Sequence, residues 1–257
     1  MSERHAIVRV RHALKMRRLT VSRVHRLTPH MVRVTLTGVD LEGFVSASPD
    51  DHVKLFFPVA GGALNLPTLG PDGPQYPEGL EPSPSRDYTP RRYDVARNEL
   101  DIDFVLHGEG PASSWAEDAK VGDTLGVGGP RGSMVVPDDY DHYVLVGDAT
   151  ALPAIGRWLE EMRPDAKATV LVEVPSDDDR QVLARDARWF VEGESPGLDE
   201  ALAALPIPDG DTFWWVAVES RRARTLRSLL VEQRGVDKDW VKATGYWQQA
   251  SQNLHDP

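Results

Sequence analysis

From residue 18 to residue 107 the chain runs in short segments, several of which alternate apolar and polar positions one by one. The segments are RLTVSRVHRL (18–27), MVRVTLTG (31–38), DHVKLFFP (51–58), DYTPRRYD (87–94) and ELDIDFVLH (99–107). A period of two is what a strand shows when one face is buried and the other is wet. Five such strands at this spacing predict a small antiparallel barrel. Between the third and fourth, residues 61–84 hold eleven Gly or Pro among 24. That density breaks helix and strand alike, so a long surface loop is expected there.

The pattern changes after GPRGSMVVPDDYD (129–141). An apolar run, HYVLVGD (142–148), feeds ATALPAIGRWLEEM (149–162), whose apolar spacing is helical. KATVLVEV (167–174) has the continuous apolar character of a buried parallel strand, and ARWFVE (187–192) is a shorter one. TFWWVAVE (212–219) leads into a helix over 220–235 that a glycine ends, and WVKATGYW (240–247) supplies a last strand. Strands alternating with helices imply a parallel sheet, with ligands expected at the carboxyl ends of its strands. The expected fold is therefore a two-domain protein. An antiparallel β-barrel occupies residues 1–138 and an α/β parallel-sheet domain occupies 139–257.

Composition narrows the chemistry. The 257 residues are 40% hydrophobic, enough for real cores, and contain no cysteine. Disulfides, thiolate zinc sites, iron–sulfur clusters and thiol catalysis are excluded together. Redox chemistry would have to come from a cofactor. The eight histidines form no HExxH and no pair at i, i+3 or i+4, so no protein-built metal site is expected. A net charge of −11 argues against nucleic acid as a partner. No run approaches the ~20 apolar residues of a membrane span, and MSERHAIVRVRHALKMRRL lacks a signal-peptide apolar block. The chain is accordingly expected to be cytoplasmic, and a monomer.

Three stretches have the residue types of a cofactor site. SRDYTPRRYD (85–94) concentrates three arginines, two tyrosines and a threonine. Arg86 beside Tyr88 and Thr89 suits a phosphate and a planar ring, and a strand with a core tyrosine and solvated arginines suits the same letters. HGEGPASSWAEDAK (107–120) places Pro111 at a helix start followed by Ala112, Ser113 and Ser114. Those residues are small enough to let an anion reach the free N–H groups, though a merely capped helix reads the same way. VGDATALPAIGRWLEE (146–161) holds the place of a dinucleotide fingerprint without the GxGxxG, and Asp148 there is either a helix cap or a polar contact to a ribose or ring edge.

Taken in order, these stretches resemble the siderophore-interacting protein family, flavin-dependent ferric-siderophore reductases related to ferredoxin–NADP reductases. RDYTPR resembles that family's R-x-Y-T-P-R, HGEGPASSWA its H-G-x-x-G-P-A-S-x-W-A, GDATALPAI its G-D-E-T-A-L-P-A, and GYW the start of its G-Y-W-R. The resemblance implies FAD as cofactor and NADPH or NADH as electron donor. It implies that Arg86 binds the FAD phosphates, Tyr88 lies against the isoalloxazine and Thr89 bonds near its N5. His107 and the helix start at Ala112, Ser113 and Ser114 would hold ring edge and pyrophosphate. Arg91, Gly108, Pro111, Asp148, Thr150, Ala151, Glu219, Tyr246 and Trp247 complete the expected cofactor-side set.

Lys54 and Arg131 match two of the family's basic groups that receive an anionic ferric chelate; a third is missing, since Gln248 stands where an arginine follows the Tyr-Trp. Ala149 and Val218 depart from the family pattern on the nicotinamide side. The implied activity is NAD(P)H-dependent, FAD-mediated reduction of a ferric siderophore, releasing Fe(II). A general flavin reductase or diaphorase, a ferredoxin-linked one, and a non-catalytic siderophore carrier stay open as alternatives.

Overall fold

The computed structural model describes residues 4–70, 73–108 and 110–249. Its strands are β1 (Val8–Arg11), β2 (Met16–Thr28), β3 (Met31–Thr37), β4 (Val53–Phe56), β5 (Thr68–Gly70), β6 (Gly73–Gln75), β7 (Ser85–Tyr88), β8 (Pro90–Asp94), β9 (Glu99–Val105), β10 (Thr124–Gly128), β11 (Gly132–Val135), β12 (His142–Gly147), β13 (Lys167–Val174), β14 (Arg188–Val191), β15 (Thr212–Glu219) and β16 (Val241–Trp247). Four α-helices join them: α1 (Gly110–Asp118), α2 (Leu152–Glu161), α3 (Leu198–Ala204) and α4 (Ser220–Ser228). The chain forms two compact units. One comprises residues 1–139, 153–162 and 178–184, and the other 140–152, 163–177 and 185–257.

In the first unit, seven antiparallel strands are ordered β7-β4-β10-β2-β3-β9-β8. The two edges, β7 and β8, are separated in sequence by Thr89 alone, so the sheet curls on itself into an open barrel. Its inside is apolar because alternate residues point inward: Val32, Val34 and Leu36 from β3 meet Leu100, Ile102 and Phe104 from β9. A buried polar knot fixes the loop before β4. The Ser133 hydroxyl donates to Asp51 (2.6 Å) while its oxygen lies 2.7 Å from His12 Nε2.

The second unit is a five-stranded sheet, β14-β13-β12-β15-β16, with every pairing parallel. Strands buried on both faces need continuous apolar runs, and Thr212 through Val218 are all buried, including Trp214 and Trp215. The chain steps from β12 outward to β13 and β14, then returns to the other side of β12 with β15 and β16. That reversal puts the topological switch point between β12 and β15, where open α/β sheets leave a crevice at the strands' carboxyl ends.

Several expectations about elements are amended. The stretch 61–84 is not wholly irregular: β5 and β6 pair as a small antiparallel ladder within it. The single strand over 87–94 is two strands, because Pro90 lacks the N–H needed to continue one ladder. The helix over 149–162 opens as a 3-10 turn at Ala149–Ala151 before α2, and that over 220–235 is α4 followed by a π turn at Leu229–Gln233. β1, β10, β11 and α3 lie outside the expected elements. They are short or glycine-bearing, as in VRVR and TLGVG.

Candidate functional site

The first two motifs meet on one side chain. Tyr88, at the end of edge strand β7, packs its ring 4.5 Å from that of Phe104 on β9. Trp115 of α1 lies 5.7 Å from the same phenylalanine and 5.8 Å from Phe57. Ala112 and Ala116 put the rest of α1 into the barrel core. Burial pushes the Tyr88 phenol well above its ordinary value, so the ring is neutral at physiological pH. Thr89 beside it is buried. The aromatic cluster thus holds the start of α1 next to β7, and segments some twenty residues apart in sequence form one wall.

What this wall presents is positive and open. Arg86 is exposed and donates only to the neighbouring Ser85 carbonyl (2.8 Å); among the described residues it forms no ion pair. Gly108 and Gly110 adopt φ of +78° and +82°, a region that penalises other residues, and among the described residues no atom beyond their chain neighbours lies within 4 Å of where a Cβ would stand. The backbone there can be approached closely. The Ser113 hydroxyl oxygen accepts from the N–H groups of His107 (3.0 Å) and Gly108 (3.2 Å), and the first-turn N–H groups of α1, like those of any α-helix, have no intrahelical partners. Open glycines, a helix N-terminus and an unpaired arginine around a half-buried tyrosine fit a phosphate-bearing aromatic cofactor.

Two other cationic positions differ from each other. Lys54 on β4 bonds Asp87, its cross-strand neighbour on β7, at 2.6 Å. Arg131 is exposed, with no ion pair among the described residues. Arg91, by contrast, is already engaged. Its guanidinium grips Glu160 of α2 through two bonds (2.5 and 2.9 Å) within the first unit, and it packs over Gly156.

The second unit has its own site at the switch point, a cleft of about 310 Å³ lined by Asp148, Glu173, Glu192, Glu219, Arg222, Trp247 and Gln249. Asp148 is buried at the end of β12. Its carboxylate accepts from the Thr150 N–H (2.9 Å) and hydroxyl (2.5 Å) and from the Trp247 indole N–H (2.8 Å). Burial raises its pKa despite those bonds. Ala151 is fully buried behind this turn. Glu219 caps α4, accepting from the N–H groups of Arg222 (3.0 Å) and Arg221 (2.6 Å), and these bonds hold its carboxyl below the ordinary value. Tyr246 packs edge-on to Trp215, 5.9 Å away, while Trp247 is 44% exposed. The glycine of GYW is dictated by contact, since a Cβ on Gly245 would fall 2.3 Å from Ser220 Oγ.

Glu173, Glu192, Arg222 and the anchoring Phe104 belong to none of the sequence motifs. Glu173 does carry a signal, as a lone acid inside the apolar run VLVEV.

The two halves of the chain match two family models in succession. Residues 20–134 match the siderophore-interacting FAD-binding domain and residues 140–250 the siderophore-interacting protein domain. The chain belongs to the siderophore-interacting protein family. Among curated members, it is 41% identical to the NADPH-dependent ferric-chelate reductase of Escherichia coli, over 93% of this chain and 95% of that protein. It is 37% identical to the ferric vibriobactin reductase ViuB of Vibrio cholerae, over 86% and 85% respectively. Among solved structures, a siderophore utilization protein from T. fusca superposes with a TM-score of 0.86 at 39% identity, covering 97% of this chain and 98% of that one. This siderophore-interacting protein thus matches its relatives along nearly the whole length of both.

Proposed function

We propose that the chain is an FAD-containing reductase that takes electrons from NADPH or NADH and reduces a ferric siderophore, releasing Fe(II) inside the cell. The observation that carries this reading is the wall in the first unit. The aromatic anchor of Tyr88, the open glycines before α1 and the unpaired Arg86 converge there, in a chain whose two domains are those of the siderophore-interacting family. Residues 1–138 would then be the flavin half and 139–257 the nicotinamide half.

In this reading Arg86 neutralises the cofactor phosphates, and the first turn of α1, which Pro111 opens, receives the pyrophosphate on the N–H groups of Ala112, Ser113 and Ser114. Tyr88, neutral and braced by Phe104, offers a flat apolar face to the ring, while Thr89 supplies a hydroxyl near its edge. Bound FAD would supply the electron chemistry, accepting two electrons as a hydride and passing them on singly to two ferric ions per nicotinamide oxidised. Lys54 and Arg131 attract the anionic chelate. No side-chain nucleophile is needed; in the Ser133–Asp51–His12 knot Ser133 and Asp51 are buried, and the knot holds a loop. Ferrous iron, softer and less charged, is held less firmly by hard oxygen donors, so reduction itself loosens the metal.

The test is anaerobic. Purified yellow protein mixed with NADH or NADPH should lose its flavin absorbance, and adding a ferric hydroxamate or catecholate with a ferrous-specific chelator should restore the colour and trap Fe(II). Bleaching without trapped Fe(II) would point to a general diaphorase, and bleaching only with reduced ferredoxin to a different donor. Binding of the chelate without any bleaching would make the chain a carrier.

A further inference from the structure

Resting on that reading of the second unit as the donor side, we infer that its cleft selects a dinucleotide whose adenosine ribose carries a free 2′-hydroxyl, that is NADH over NADPH. The two differ only by a 2′-phosphate, which is close to doubly negative at neutral pH. Proteins hold such a group with a free arginine or lysine, or on an unfilled helix N-terminus. This cleft has both kinds of feature, and in both the chain's own carboxylates already occupy them.

Among the described residues, Arg222 is the one cation lining the cleft, against four acids. Its two terminal nitrogens bond both oxygens of Glu173, one at 2.9 Å, and its Nε bonds Asp199 at 2.8 Å. A guanidinium tied on both edges has no fork left for a phosphate. The N-terminus of α4 is filled by Glu219, bonded to the N–H groups of Arg221 and Arg222. The turn after β12 is filled by Asp148, bonded to the Thr150 N–H. Exposed Arg221 lies nearby and acts on Glu219, but it does not line the cleft, and water and salt screen its charge.

A ribose diol reverses the preference, because two hydroxyls donate to carboxylates that a phosphate would meet as like charges. In open α/β sheets the acid that distinguishes the two dinucleotides stands at the end of the second strand. Glu173 occupies that strand, β13, and Glu192 follows its neighbour β14. The pyrophosphate is common to both dinucleotides and does not discriminate. The Escherichia coli relative is named for NADPH, so this inference is a divergence in donor from that protein.

The experiment is calorimetric titration of the FAD-loaded protein with NAD⁺ and with NADP⁺ at low and high salt, beside anaerobic bleaching by each reduced form. The expected result is NAD⁺ binding tighter by ~10-fold or more, a margin that shrinks with salt as a charge effect must. Glu173→Gln should cut that margin ~5-fold or more by freeing Arg222 to meet the phosphate. Glu192→Lys, an alternative should the first variant fail to fold, should move it the same way. Equal or tighter binding of NADP⁺ by the unaltered protein overturns the inference while leaving the donor-side reading intact. If neither nucleotide binds or bleaches the flavin, that reading falls and the inference falls with it.

Discussion

Arg86 and Arg131 in the first unit reach solvent without a carboxylate partner among the described residues, whereas Arg222 in the second is tied to two acids and surrounded by more. One region keeps its positive charge available and the other cancels it. A chain of net charge −11 thus carries two regions of opposite electrostatic character, and the total predicts neither. The lesson is that the pairing state of each cation, not its presence in a motif, decides which anion it can receive. Lys54 and Arg91 show this within the first unit. Both belong to motif-bearing segments and both are engaged, one with Asp87 and the other with Glu160.

The largest effect expected from breaking this contrast is on the cofactor. Arg86→Ala removes an unpaired, charge-assisted donor and should weaken FAD retention by ~1.5–3 kcal/mol, roughly 10- to 150-fold. The ratio of flavin to protein absorbance after dialysis, together with an FAD titration of the stripped protein, measures it. Flavin content equal to that of the unaltered chain would remove Arg86 from the site. Arg91→Ala should leave FAD affinity nearly unchanged and lower thermal stability instead, because its partner is Glu160.

Much of this was legible in the sequence. The alternating runs of the first half and the apolar runs of the second reported which faces are buried, and so gave the antiparallel and parallel sheets. The four motifs singled out Arg86, Tyr88, the α1 start and Trp247 as candidates. What stayed hidden was pairwise. Nothing in SRDYTPRRYD says that Arg91 meets an acid sixty-nine residues away while Arg86 meets none among the described residues. Nothing in SRRARTLR says that Arg222 is locked by Glu173 and Asp199. Such partnerships depend on strand order and helix placement, which local periodicity does not encode.

A middle-sized effect concerns the ferric chelate. Because Lys54 is shared with Asp87, Arg131→Ala should raise the KM for an anionic chelate ~3- to 10-fold and Lys54→Ala by less, with NAD(P)H oxidation by free flavin intact. Asp87→Asn should lower that KM by releasing Lys54. Steady-state kinetics at two ionic strengths would check the ranking. A larger effect from Lys54 than from Arg131, or no salt dependence in either, would mean that pairing with Asp87 does not govern which cation meets the chelate.

The smallest effects belong to the acidic cleft, where two carboxyls are driven in opposite directions. Asp148 is raised above its ordinary value of 3.8 by burial, against the opposing bonds from Thr150 and Trp247. A group raised in the folded state contributes stability below its unfolded pKa and loses it as pH rises through the folded one. Glu219 is lowered from 4.5, chiefly by the N–H of Arg222, so its contribution is present above the unfolded pKa and lost as pH falls through the depressed one. The Trp247 indole donates to Asp148, so the fluorescence difference between the unaltered chain and Trp247→Phe should titrate with a midpoint above 3.8. Glu219→Gln should melt earlier at neutral pH and converge with the unaltered chain in acid, once the depressed carboxyl is protonated. A tryptophan midpoint at or below 3.8 would mean that Asp148 is better solvated than its burial indicates. A deficit in the Glu219 variant that persists into strong acid would mean that its cap acts through packing rather than through the charge on its oxygens.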